Sequence, residues 1–235
     1  KFKGLNLTLE TLDGLLKHNG PYYDFDKLDS IIGVNKFKNK IKFKNNTSLE
    51  AQISSISDDI AYNNHDIQDG IKAKLFTLNE LIEINFFKEI YKSYKSNIKR
   101  NNKDIIIYQV IRDSINLMVK DIIKNSIKNI NDYKVKKVSD VYINENQTII
   151  FSDKFLSIEA EIKQFLKIKM YNNKNVMKKN NNGKSIIKKL FKTILIKPNK
   201  YIKSSDLKKD KYRAISDYIS GMTDRFAIQL YKSSK

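Results

Sequence analysis

The chain has 235 residues, enough to bury the core of one large domain or two small ones. It contains no cysteine, which excludes disulfides, thiolate metal sites and a cysteine nucleophile. No apolar run approaches the roughly 18 residues of a membrane span, and no signal peptide is visible, so we expect a cytoplasmic protein that does not enter a membrane. The chain begins at Lys1 rather than Met, from which we expect further residues upstream.

The formal net charge is +19, which raises the question of a nucleic-acid partner. Four of the 45 basic residues are arginine, so 41 are lysine. Because surfaces that grip phosphate favour the bidentate guanidinium group, the dispersed lysines are interpreted mainly as solvated surface. Weak, salt-dependent binding of nucleic acid stays open as an alternative.

The composition favours a mostly helical chain, since there are two prolines, seven glycines and little strict alternation of apolar and polar residues. The first helix is predicted over residues 8–18, with Thr8 as its N-cap and Gly20-Pro21 as its stop signal. A connector follows over residues 21–46. Within it, the KFKNKIKFK stretch has apolar residues at even spacing, which leaves open a short hairpin strand or a mobile lysine-rich loop.

The next helix is predicted over the stretch TSLEAQISSISDDIAYNNHDIQDG, residues 47–70. Thr47 and Glu50 have the spacing of a capping box, and Gly70 is the usual residue just past a helix end. One side of this helix carries an apolar stripe, which consists of Leu49, Ile53, Ile56, Ile60 and Ile67. That side is predicted to face the core.

Three other residues of this helix, Asp58, Tyr62 and Asp66, recur every fourth position and therefore share a second stripe. At about 100° per residue, this stripe lies roughly opposite the apolar one. By spacing alone, the three residues are interpreted as a solvated helix face.

Later helices are predicted over residues 77–98, 104–130, 153–171, a segment that ends before Pro198, and 205–231. Thr77 and Glu80 provide another capping-box pattern at the start of the first of these. TIIF, residues 148–151, suggests a short extended piece. We therefore predict a single all-α, bundle-like domain over residues 1–235.

The dipeptide His65-Asp66 is the one that names the HD phosphohydrolases, whose site also needs an upstream histidine and a distant aspartate around a divalent ion. His18 and a later residue such as Asp121 would complete such a set. However, adjacent residues of a helix point about 100° apart, and such dipeptides occur often by chance. This assignment is the weaker of two.

The stronger assignment comes from a resemblance. The stretch SLEAQISSISDDIAYNNHDIQDG closely resembles the helix that carries the last metal-binding aspartate in the deoxynucleoside triphosphate triphosphohydrolases of the HD superfamily. LNLTLETLDGLLKHNGP is similar to the segment that follows the HD core of that family. FSDKFLSIEAEIKQFLKIKMY and DYISGMTDRFAIQLY resemble its C-terminal helical region, so the matches run in the family's order from Leu5 to Tyr231.

The resemblance implies an HD-superfamily helical domain that is incomplete at its N-terminus, with residues 1–75 as the remainder of the HD-type core and residues 76–235 as the C-terminal helical region. It implies hydrolysis of dGTP or another dNTP to the deoxynucleoside and triphosphate, with a divalent ion such as Mg²⁺ or Mn²⁺. Asp58 would be a metal ligand, Tyr62 would pack against the deoxyribose and Asp66 would accept its 3′-hydroxyl. A homo-oligomer is expected by analogy with the family.

In the family, the first histidine and the His-Asp pair lie upstream of the LNLT segment, so His18 is not expected to replace them. We therefore predict that this chain alone is inactive, and that the other metal ligands and the group that protonates the leaving 5′-oxygen lie upstream; its own catalytic residues stay unassigned. Two alternatives stay open, namely a basic, non-enzymatic nucleic-acid-binding or interaction module and the remnant of a decayed gene.

Overall fold

The computed structural model describes residues 5–94 and 103–233, and these residues form helices, turns and irregular segments but no strand. The all-α prediction is confirmed. None of the described helices is both long and apolar enough to cross a membrane. The chain divides into two compact units, Lys1–Lys169 and Met170–Lys235. The predicted division at residue 75 stays a prediction.

The first unit contains eight of the described α-helices, whose bounds are α1 Leu9–Leu16, α2 Phe25–Ile32, α3 Leu49–Lys72, α4 Leu78–Leu81, α5 Asn85–Lys92, α6 Lys103–Asp132, α7 Val138–Ile143 and α8 Asp153–Leu166. Helix α3 lies at the centre of this unit and packs against α1, α6 and α8. The buried side chains between these elements include Ile60, Met118, Ile122, Ile149 and Phe151. A second apolar cluster holds α2 and the connector together, with Leu28, Val34, Ile41 and Phe43 buried.

The second unit, described up to residue 233, consists of α9 Lys174–Ile196, α10 Ser204–Leu207, α11 Lys211–Ser220 and α12 Asp224–Ser233. Helices α11 and α12 pack against α9. The buried core of this unit is formed by Ile186, Leu190, Ile194, Ile215, Ile219 and Ala227.

Several predicted helices are shorter or differently divided in the structure. The helix predicted over residues 77–98 is interrupted between Leu81 and Asn85, and residues 95–98 lie outside the described residues. The helix predicted over residues 205–231 is divided into α10, α11 and α12. The prediction of a hairpin strand in the connector is wrong, because Ile41 and Phe43 are buried in an irregular segment. The connector also contains helix α2, which was not predicted.

The ends of α3 also differ from the prediction. Its N-cap is Ser48, whose side chain accepts a hydrogen bond from the Ala51 N–H, so the predicted capping box of Thr47 and Glu50 is wrong by one residue. At the other end, Gly70 lies inside the helix beneath Phe76, where a Cβ atom would come within 2.2 Å of the ring. The helix ends instead at Lys72, and Lys74 just beyond it has a φ of 57°.

The Gln52 side chain fixes the position of α3 against a distant segment. Its Nε2 donates to the Thr47 carbonyl at 2.9 Å, and its Oε1 accepts from the N–H groups of Thr148 and Ile149 at 3.0 Å each. The residue is buried, with 4% of its surface exposed. Its hydrogen bonds therefore satisfy three backbone groups that water cannot reach.

We expect Gln52→Leu to lower the free energy of unfolding by about 3 kcal/mol, because it leaves buried backbone groups without partners at a similar side-chain volume. Urea unfolding followed by circular dichroism measures this change. The matched control is Gln164→Leu, at an exposed position of α8, for which we expect a change within about 0.5 kcal/mol. Equal effects of the two substitutions would contradict the assignment.

The predicted capping box of Thr77 and Glu80 is confirmed. The Glu80 carboxylate accepts from the Thr77 N–H at 2.9 Å, and the Glu80 N–H donates to the Thr77 hydroxyl at 3.3 Å. The same carboxylate lies 2.7 Å from the Lys169 ammonium group. The hydrogen bonds from Lys169 and Thr77 lower the pKa of Glu80 from 4.5 to about 2.

This lowered pKa predicts a pH dependence of stability. The unfolded chain binds a proton near pH 4.5, whereas folded Glu80 stays ionised down to about pH 2, so its contribution is complete above pH 4.5 and is lost as the pH falls toward 2. We expect Glu80→Gln, which keeps the capping box but removes the charge that pairs with Lys169, to be less stable than the wild type by about 0.5–1 kcal/mol at pH 7. Melting curves of both proteins between pH 2 and 7 should converge at the acid end. A constant difference would contradict the role of the charge.

Candidate functional site

The side of α3 that faces away from the core carries the three predicted site residues. Ile60 and Ile67 are buried on the core side, with 4% and 0% of their surfaces exposed. The side chain of Asp58 is 66% exposed and Tyr62 is 59% exposed, while Asp66 is half-buried. The helix thus displays a carboxylate, a phenol and a second carboxylate along one side, four residues apart.

One residue of the predicted apolar stripe does not face the core. Ile53 is 48% exposed, whereas Leu49 and Ile56 pack against the buried cluster of the first unit. Ile53 lies about 40° around the helix from Leu49, at the margin of the apolar stripe. Polar Gln52 is buried on the other margin. The core side of α3 is therefore rotated slightly from the predicted one.

Helix α1 approaches the first turns of α3 closely. A Cβ atom at Gly14 would lie 2.9 Å from the Cβ of Ala51, so the two backbones can meet at this distance only with glycine at that position. Farther along, the Ser55 hydroxyl donates a hydrogen bond to the carbonyl of His18. These two contacts hold the end of α1 against the middle of α3.

The result is an unforeseen contact between His18 and Asp58. The Nε2 of His18 lies 3.5 Å from Oδ2 of Asp58. Sequence reasoning placed His18 outside the metal-ligand set and did not bring it to Asp58. A contact between residues 40 positions apart has no local signature in the sequence, so this one could not be predicted from it.

A groove of about 420 Å³ opens between α1 and α3. His18 forms part of its wall, together with Glu10, Thr11, Gly14, Leu15, Ser48, Glu50, Ala51 and Ser54. Its wall is mixed, since Leu15 and Ala51 are apolar while His18 and two carboxylates are polar. The groove places a concave surface immediately beside the His18–Asp58 contact.

Neighbouring charges connect this side of α3 to α8. Lys163 contacts Asp59 at 3.2 Å and Glu159 at 2.7 Å. Burial alone would lower the pKa of Lys163, but its hydrogen bonds to Glu159 and Asp59 raise it. Lys163 stays charged and links the residue next to Asp58 to the neighbouring helix.

The described residues alone do not form a metal site. Nowhere among residues 5–94 and 103–233 do three or more histidine and carboxylate side chains converge as a metal would need. Asp58, with His18 beside it, supplies at most part of such a ligand set, and a tightly held divalent ion needs more protein ligands or bound phosphate.

The alternative set of His18, His65-Asp66 and Asp121 is wrong. His65 is exposed, and among the described residues it forms no group of three histidine or carboxylate side chains that could hold a metal ion. The Asp121 carboxylate instead accepts hydrogen bonds from the N–H and the hydroxyl of Ser152, at 2.9 and 2.7 Å. Asp121 thus fixes the start of α8, which is a structural role.

Comparison with known proteins supports the resemblance. The profile of the Phosphohydrolase-associated domain matches residues 149–233. A deoxyguanosinetriphosphate triphosphohydrolase-like protein of Pelagibacter ubique is 67% identical over 232 residues, which are 99% of this chain and 62% of that protein. Proteins of the same name from Caulobacter sp. and Bartonella quintana are 34% and 36% identical to this chain. Each match includes 98% of this chain and 61% or 60%, respectively, of the relative.

The chain thus spans about three fifths of the length of these relatives. The identity extends over nearly the whole chain, including α1, α3 and the helices of the second unit, rather than over one short motif. The chain therefore belongs to the family of deoxyguanosinetriphosphate triphosphohydrolase-like proteins.

Proposed function

We propose that this chain contributes one wall of the active site of a deoxynucleoside triphosphate triphosphohydrolase. The proposal rests on the observation that Asp58, Tyr62 and Asp66 lie together on the side of α3 that faces away from the core. It also rests on the similarity of the chain to this family. A solvated helix face needs no such order of groups. His18, which contacts Asp58, also lines the groove between α1 and α3, so a concave surface adjoins one end of this row of residues.

In the proposed reaction, water attacks the α-phosphorus of a dNTP and the bond from phosphorus to the 5′-oxygen breaks. The products are a deoxynucleoside and inorganic triphosphate. The 5′-oxygen takes a proton from a general acid that we place outside this chain. A divalent ion, when bound, activates water and neutralises phosphate charge, and Asp58 would be one of its ligands.

The other two residues would position the sugar. Tyr62 exposes a flat ring one turn beyond Asp58, so it can pack against a deoxyribose. Asp66 lies a further turn along and can accept a hydrogen bond from the 3′-hydroxyl. The chain of groups would therefore order the substrate along α3, with its phosphates near Asp58 and its sugar near Asp66.

The position of His18 adds a role to this proposal. Its imidazole is held beside Asp58 by the backbone hydrogen bond from Ser55 and is 43% exposed. A nitrogen at this distance can orient the carboxylate or contact a phosphate oxygen. His18 would thus be a positioning residue at the edge of the site.

We expect the purified 235-residue chain to release no triphosphate from dGTP with Mg²⁺ or Mn²⁺, because its described residues provide too few metal ligands. Fusion to the part of the Pelagibacter ubique relative that the chain does not span should give activity. In that fusion Asp58→Ala should lower kcat/KM at least about 100-fold, since loss of a metal ligand removes several kcal/mol of transition-state stabilisation. Ion-exchange separation of triphosphate measures the product.

The matched control for this experiment is Asp69→Ala, which removes another exposed carboxylate of α3. We expect it to leave the fusion active. Robust hydrolysis by the unfused chain would overturn the predicted inactivity, and an active Asp58→Ala fusion would overturn the metal role of Asp58.

The proposed role of Asp66 predicts a loss of discrimination. The active fusion should prefer dGTP over 2′,3′-dideoxy-GTP by about 10- to 100-fold in kcat/KM, because a hydrogen bond to a charged group contributes about 1.5–3 kcal/mol. In Asp66→Ala this ratio should fall toward one, whereas Asp69→Ala should retain it. Circular dichroism checks that both variants fold. An unchanged ratio in Asp66→Ala would show that another residue reads the 3′-hydroxyl.

A further inference from the structure

The positive charge is concentrated in the second unit. Residues 170–235 contain 17 basic and four acidic residues, so they carry +13 of the net charge of +19. Residues 1–169 contain 28 basic and 22 acidic residues and carry only +6. The interpretation of the lysines as dispersed surface therefore holds for the first unit and not for the second.

Helix α9 displays this charge on one side. It contains no acidic residue, and five of its lysines lie within about 120° of its circumference, namely Lys174, Lys178, Lys184, Lys188 and Lys192. All five are exposed. We call these five residues the lysine face. At a rise of 1.5 Å per residue it extends about 27 Å along the helix.

Within the described part of the chain, the lysine face has no charge partners. None of the ion pairs between described residues involves a lysine of α9. Lysines four residues apart on a helix repel one another, as Lys184, Lys188 and Lys192 do here. An anion that lies along the helix would remove this repulsion.

The shape of the face selects the kind of anion. A row about 27 Å long exceeds a single phosphate or nucleotide and matches a chain of phosphates. A membrane-binding helix would also need a free apolar side. In α9 that side is used by the core, since Ile186, Leu190 and Ile194 are buried against α11 and α12.

An exposed aromatic ring borders the lysine face. Tyr212 of α11 is 63% exposed and lies parallel to Phe191 of α9, with ring centroids 6.5 Å apart and an angle of 7° between planes. Phe191 lies between Lys188 and Lys192 in the sequence. Since most of the surface of Tyr212 remains exposed beside Phe191, its ring offers area on which a base can stack.

We propose that the lysine face of α9 and Tyr212 bind single-stranded nucleic acid without sequence preference. The lysines contact successive phosphates as point charges, and a base stacks on Tyr212. This site is independent of the proposed dNTP site, since it uses no residue of α1 or α3. It also differs from a general effect of net charge, because the partner lies along one helix.

The test uses the purified 235-residue chain and a fluorescein-labelled strand of twenty thymidines, with binding followed by anisotropy. Five phosphate contacts, one for each residue of the lysine face, predict a slope of log K against log[NaCl] of about −3.5. Combined Lys→Gln substitution at 178, 184, 188 and 192 should weaken binding at 50 mM NaCl at least about 100-fold and flatten the slope.

The matched control removes four other exposed lysines of the same unit, by Lys→Gln substitution at 197, 203, 208 and 211. It changes the net charge equally but leaves α9 intact, and it should weaken binding less than about tenfold. Equal losses in the two quadruple variants would overturn the proposal in favour of a net-charge effect. Absence of binding by the wild type would also overturn it.

The proposed stacking of a base on Tyr212 is tested separately. Tyr212→Leu should weaken binding of the strand at least about fivefold, while Tyr212→Phe, which keeps the ring, should bind as the wild type does. A 20-base-pair duplex should bind more weakly than the single strand. Equal affinity for the duplex with no effect of Tyr212→Leu would overturn the single-strand assignment. Tighter binding to vesicles of phosphatidylglycerol and phosphatidylcholine would overturn it in favour of a membrane surface.

Discussion

The hydrogen bonds of Gln52 determine which side of α3 faces the solvent. This buried amide ties the first turns of α3 to the backbone at Thr148 and Ile149, nearly 100 residues later in the chain. A rotation of α3 by one residue, about 100°, would break these bonds and carry Asp58 toward the core. Apolar packing alone would tolerate smaller rotations, because side chains can repack, whereas unpaired buried polar groups would not. The orientation of the proposed site thus depends on a polar contact far from it.

Local sequence signals predicted the elements that depend on neighbouring residues. The N-cap of α1 and the capping box of Thr77 and Glu80 appear as predicted, because each is complete within four residues. Long-range packing decided the rest. Gly70 was predicted to end α3, but it lies inside the helix, where the ring of Phe76 requires a glycine, and the helix continues to Lys72. Helix α2 was missed although its local signals are present, since Asp24 is its N-cap, Gly33 at its end has a φ of 66°, and Phe25, Leu28 and Ile32 are at helical spacing.

The candidate site was predictable to a similar extent. Helical periodicity alone placed Asp58, Tyr62 and Asp66 on one side of α3, and the structure shows that this side faces away from the core. Periodicity could not give them a role, which came from the resemblance to a family. Nor could it find His18, because its contact with Asp58 arises where α1 meets α3 at Gly14. A contact between two helices depends on how the two helices pack against each other, and a single sequence does not show which helices pack together.

The two units differ in how their charges are balanced, and this difference has a physical consequence. In the first unit, charges of both signs form pairs that fix neighbouring helices, as Lys163 does between Asp59 and Glu159. In the second unit, α9 folds with a row of like charges, whose repulsion is opposed by the burial of Ile186, Leu190 and Ile194 against α11 and α12. A helix held in this way stays formed without a counterion of its own. It therefore presents a fixed line of positive charge. A flexible polyanion that binds along this line would lose conformational entropy, whereas the protein would lose little because its helix is already ordered.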